Sequence, residues 1–110
     1  MTMGLRFNTF IDIIERRPVK DTEGFSQTVD EILASVRAYK EDRHATVAWA
    51  NRAAFSNATA LYRFRVIPGV VVKPGMIIAC EDGRYRVLSV ENVKNRNMYI
   101  ETLAEKIESI

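Results

Sequence analysis

The chain has 110 residues, 47% of them hydrophobic, and a formal net charge of +2 from sixteen Lys and Arg against fourteen Asp and Glu. That is one domain, 1–110, with enough apolar material for a core, and a charge too nearly balanced to single out a polyanionic partner. A single cysteine, Cys80, excludes an internal disulfide, and no run approaches the roughly 20 apolar residues of a membrane-spanning helix.

The charges are also spread evenly. Residues 1–57 carry eight basic and eight acidic side chains, residues 58–110 eight and six, so neither half holds the like-charge block of a nucleic-acid tail. Met1 to Leu5 lack the basic start and apolar run of a secretory signal. A soluble protein made in a cytoplasm is the expectation.

Residues 1–7 read as a flexible tail. From Thr9 the chain turns to β-formers. Ile11 and Ile13 share one face of a strand and Phe10, Asp12 and Ile14 the other. This strand should end near Arg17-Pro18, because proline cannot donate to a ladder. The polar stretch Lys20-Asp21-Thr22-Glu23-Gly24 suits a hairpin loop. The return runs from Phe25 to Tyr39, with Ile32, Ala34, Val36 and Ala38 alternating with Leu33, Ser35, Arg37 and Tyr39. Its length predicts a bend near Asp30-Glu31 or Ala34-Ser35.

Lys40 to Arg43 breaks the alternation, and alanines at 45, 48, 50, 53 and 54 follow. Alanine's high helix propensity predicts one short helical insert within 40–57, although its apolar residues form no single stripe. Strands resume at Thr59, where Tyr62, Phe64 and Val66 alternate with Arg63, Arg65 and Ile67, and Pro68-Gly69 stops the run. Lys73-Pro74-Gly75 predicts a turn with proline first and glycine at φ > 0 second. Met76 to Cys80 is a short apolar strand. Glu81-Asp82-Gly83 is a hairpin signal of the primed type, and Arg84 to Val90 returns. Asn92 to Asn97 is a polar turn, Met98 to Leu103 the last strand, and Ala104 to Ile110 a charged end.

The fold class that follows is mainly β: a small antiparallel barrel of about six strands, with one short helical insert between the early and late strands.

Catalytic chemistry finds little to work with. The one His and the one Cys are far apart in sequence, so neither a zinc site nor a Ser–His or Cys–His pair can be argued. His44 reads as a solvated residue and Cys80 as a small core residue. Asp30-Glu31 and Glu81-Asp82 fall at bends or turns, where solvated acids are ordinary. The five glycines, at 4, 24, 69, 75 and 83, form no phosphate loop. No catalytic residue, cofactor or metal is expected.

Two features invite a binding role. Arg63 and Arg65, and Arg84 and Arg86, each share a strand face, with Tyr62, Phe64 and Tyr85 pointing the other way. If those strands are neighbours, the four arginines form a basic stripe. It would be an ordinary solvated face, or a contact for an acidic subunit or a DNA backbone. The 40–57 insert either packs on its own barrel or covers a neighbouring subunit through Arg43, Val47, Trp49, Arg52 and Phe55, since Trp and Arg commonly anchor such contacts.

Three stretches carry a family resemblance by their order and spacing. They are the opening hairpin FIDIIERRPVKDTEGFSQTVDEILASVRAY, the middle ALYRFRVIPGVVVKPGMIIACEDGRYRVLSV and the closing strand MYIETLAEKI. Together, from about Asn8 to Glu105, they resemble the phage head–tail joining proteins, also called head closure or stopper proteins. Relatives often carry a Trp in the second strand, where this chain has Tyr39, with its Trp at 49. The resemblance implies a small β-barrel that acts as a structural virion protein and not as an enzyme. It implies copies assembled as a ring, commonly a dodecamer, in the virion neck. The ring would join the portal or adaptor protein to a tail or tail-completion protein. DNA would pass through its channel without sequence-specific binding, and the 40–57 segment would face the channel or rearrange on docking. Synthesis would be in the cytoplasm of the bacterial host. A barrel that binds nucleic acid through a basic strand face is the alternative.

Overall fold

A computed structural model describes residues 7–20, 24, 26–42 and 57–109. Six strands, β1 (Thr9–Lys20), β2 (Ser26–Asp42), β3 (Ala60–Arg65), β4 (Ile77–Cys80), β5 (Gly83–Asn92) and β6 (Tyr99–Ser109), close into an antiparallel barrel in the order β1-β2-β3-β6-β5-β4. Period-two alternation fills it. Ile11 and Ile13, Ala60, Tyr62 and Phe64, Ile78, Tyr85 and Val87, and Ala104 form one core cluster. Closure leaves no edge along the barrel wall where the ladders are continuous.

β1 does not stop at Arg17-Pro18. It runs to Lys20, with Pro18 opposite Thr28. β4 pairs only with Asp12 to Ile14, so beyond Ile14 the strand has β2 on one side only, and a proline is tolerated on such an edge. The outer part of the hairpin is therefore a two-stranded ribbon that leaves the barrel. Six residues per strand reach about 20 Å, and the molecule measures 59 × 29 × 25 Å.

The expected bend in β2 is a bulge. Ile13 pairs with Ala34 and Ile14 with Ile32, so Leu33 is the extra residue. One extra residue reverses the alternation. Leu33 packs on the core with Val36, whereas Ile32, which shares a face with Ala34 and Val36 in an unbroken strand, is 58% exposed.

Several boundaries differ from the sequence expectation. β2 continues through Lys40, Glu41 and Asp42, because Tyr39 to Asp42 form its ladder with β3. β6 continues past Leu103 to Ser109, because its second half pairs with β5 to close the barrel, and Ala104 is core rather than charged end. The β4–β5 hairpin is not a primed turn. Neither Glu81 nor Asp82 has positive φ, and the unusual backbone falls on Gly83 at φ 147°. The Pro-Gly turns conform: Val70 N–H donates to Ile67 C=O and Met76 N–H to Lys73 C=O, with Gly69 and Gly75 at φ 79° and 95°.

Residues 43–56, which hold most of the expected helical insert, lie outside the described residues. Among those described, the only helical turn is a 3-10 turn at Val93–Asn95. Asp42 and Ala60 are register partners, so the chain leaves β2 and enters β3 at the same mouth of the barrel, opposite the ribbon. Residues 1–6 of the expected tail are likewise outside, but Phe7 is anchored, its ring 5.7 Å from that of Tyr99.

Candidate functional site

The four arginines of the expected stripe do not form one. β6 lies between β3 and β5, and it brings carboxylates opposite them. Arg63 grips Glu101 of β6 through Nε at 2.9 Å and a second short bond from its terminal nitrogen. Arg86 donates to Glu105 of the same strand at 2.7 Å. Arg84 reaches across to the ribbon, donating to Asp30 at 2.6 Å, and Arg16 bridges to the same carboxylate at 3.2 Å. The hydrogen bond from Arg84 and the charges of Arg84 and Arg16 hold the Asp30 carboxyl below its usual range, against the opposing pull of desolvation. These cations are committed to holding strands and ribbon together. Arg65 is the exception, lying over the Tyr99 ring at 5.9 Å. Tyr62, Phe64 and Tyr85 do face the core as expected.

Arg43, Val47, Trp49, Arg52 and Phe55 all lie outside the described residues, as does His44. The barrel mouth from which that segment departs is described, and it holds a cluster that the sequence reading missed. Lys40 Nζ forms a short ion pair with Asp82 and donates to Tyr85 Oη at 3.1 Å. Cys80 Sγ donates to Asp82 Oδ1 at 2.8 Å and lies 3.2 Å from Tyr62 Oη. The rings of Tyr62 and Tyr85 meet edge to face at 5.4 Å. A signal was present: Lys40 continues the inward parity of Ala34, Val36 and Ala38, and a lysine in that register must find an anion at the barrel end.

The cluster ties β2 to the β4–β5 hairpin at this end of the barrel. Burial pushes the Cys80 thiol up, and its hydrogen bond to Asp82 adds to that, so it stays a thiol rather than a thiolate nucleophile. Burial also raises Tyr62, helped by Cys80. Desolvation works against the charge on Lys40, but hydrogen bonds with Asp82 and Tyr85 outweigh it and raise its pKa. For Asp82, desolvation acts upward, while bonds from Cys80 and Lys40 and the Lys40 charge carry it down to about 2. A cavity of about 490 Å³ opens beside the cluster, bounded by Phe10, Asp12, Lys40, Cys80 and Asp82. Among the described residues no group of three His, Cys, Asp or Glu is placed to hold a metal ion.

A depressed carboxyl is stability that exists above its unfolded pKa and disappears as pH falls through its folded one. Asp82 moves from 3.8 to about 2, so the window is about pH 4 to 2. Its side chain is 46% exposed, and solvent screening limits the effect to about 1 kcal/mol. Thermal unfolding across this window should show Asp82→Asn losing less stability on acidification than the unaltered protein. Parallel curves would remove Asp82 from the acid response.

The fold and the committed ion pairs define a structural β-barrel module with a projecting ribbon. The phage head completion protein family model matches residues 4–107, nearly the whole chain. The chain belongs to that family, whose members are structural proteins serving head closure in the phage virion near the head–tail junction and meeting other head and tail proteins there. The fold is also that of the solution structure of protein SF1141 from Shigella flexneri 2a, with a TM-score of 0.72 at 15% identity and 96% of each chain covered. No curated sequence matches.

Proposed function

We propose that this chain is a neck component of the virion. In this reading copies form a ring, the portal or adaptor protein lies on one side and a tail or tail-completion protein on the other, and the ring helps close the DNA channel. It is made in the cytoplasm of the bacterial host and is not an enzyme. The observation that carries this reading is the family match over residues 4–107. The contact segment proposed from the sequence is 40–57, with Arg43, Val47, Trp49, Arg52 and Phe55 reaching the neighbouring subunit. It departs from the mouth where Lys40 pairs with Asp82. The alternative, a nucleic-acid binder, is disfavoured by the pairing of Arg63, Arg84 and Arg86 with carboxylates.

Sedimentation tests the ring. Alone, the chain should run as a monomer or weak oligomer, and with its cognate portal–adaptor complex it should join as a ring of many copies. Trp49→Ala with Phe55→Ala should abolish that addition. A chain that never joins the portal–adaptor complex would overturn the neck assignment.

A further inference from the structure

We propose that the open wedge between β2 and β3 receives an extended acidic segment of a partner protein, added as a strand on the free edge of β2. The β2–β3 ladder runs only from Tyr39↔Arg63 to Asp42↔Ala60. Continuing that register would pair Arg37 with Arg65, yet the strands have already parted there. A cavity of about 540 Å³ lies in the gap, lined by Val36, Arg37, Arg65, Ile67, Pro68 and Tyr99 among others. An exposed stretch of strand edge is a template for another strand.

Charge says which strand. Arg16, Arg17, Arg63, Arg84 and Arg86 each have a carboxylate partner. Arg37 and Arg65, alone among the strand arginines described, have none. They rest instead over the rings of Phe10 at 4.8 Å and Tyr99 at 5.9 Å. Both line this one cavity, and among the described residues no acidic one does. Parity sets the pattern. Arg37 and Arg65 face outward, while Val36 and Ile67 pack against the core. A strand inserted about 4.8 Å from β2 would place alternate residues over each of these surfaces. Acidic side chains would meet the two arginines and apolar ones would cover Val36 and Ile67. A phosphate backbone would use the cations but neither the apolar floor nor the strand edge, so the geometry favours a peptide. This inference does not depend on the ring.

The test is an amide-resolved NMR titration of the full chain with three probes. They are the peptide acetyl-Glu-Val-Glu-Ile-Glu-Val-amide, its counterpart with Lys for Glu, and a short single-stranded oligodeoxynucleotide. The acidic peptide should shift the amides of Val36, Arg37, Arg65, Ile67 and Tyr99 saturably, and the lysine peptide should not. Arg37→Gln with Arg65→Gln should weaken the acidic peptide about tenfold or more, the loss of charge-assisted bonds, while amides elsewhere keep their positions. The proposal is overturned if the acidic peptide shifts none of these amides, if the lysine peptide shifts them equally, or if the double variant binds unchanged. Tighter binding of the oligonucleotide at the same residues would overturn it in favour of a nucleic-acid contact.

Discussion

Phe64→Ala should lower the unfolding free energy by about 3–5 kcal/mol, while Phe10→Ala should change it by about 0.5 kcal/mol or less. Phe64 is fully buried in β3, which lies between β2 and β6, with Tyr62 beside it on the same inner face. Truncating it leaves a cavity in the main core cluster, where the β3–β6 ladder holds the backbone in place. Phe10 is 63% exposed on the outer face of β1. Domains of this size are stable by about 5–15 kcal/mol, so the first substitution removes a large fraction and the second almost none. Urea unfolding of both variants checks this. Equal midpoints would mean that the core is not where the strand parity puts it.

Arg63→Ala should cost about 2–3 kcal/mol, more than any other single arginine among the described residues. The Glu101 side chain it grips is only 3% exposed and that of Arg63 28%, so the pair is shielded from water on one side and open on the other. Removing the arginine leaves a buried carboxylate without its principal counter-ion, which is a larger penalty than the loss of an exposed pair. Replacing both together, Arg63→Met with Glu101→Leu, should recover most of the loss, since an apolar pair of similar volume needs no compensation. Arg86→Ala, whose partner Glu105 sits on the same strand but whose own side chain is 51% exposed, should cost about 1 kcal/mol or less. Chemical denaturation of the three variants reads these differences. A double variant no better than Arg63→Ala would show that the pair does more than satisfy Glu101.

Local pattern was enough for the class of fold and for most of its strands. Alternation at Ile11 and Ile13, at Tyr62 and Phe64, and at Tyr85 and Val87 marks the inner wall directly, because a strand has only two faces and one must be dry. The Pro-Gly pairs at 68–69 and 74–75 announce their turns through the dihedrals these residues impose. The candidate site was less legible. The arginines were visible as residues and their faces were right, but their partners come from β6 and from the ribbon, which are distant in sequence. Lys40 opens a charged run that breaks the alternation, yet its parity points it inward to Asp82.

The sequence by itself determined a mainly β chain, the alternation that marks most of its inner wall, and most of its turns. These are properties of neighbours along the backbone. Only the tertiary structure decided what stands next to what. It put β6 between β3 and β5, so that a supposed basic stripe became a set of ion pairs. It placed the bulge at Leu33 that turns Ile32 outward. It carried β1 past Pro18 into a projecting ribbon, and it parted β2 from β3 so that Arg37 and Arg65 line one cavity. Each of these depends on strand order and register. Those are set by closing the barrel as a whole and not by any segment of it.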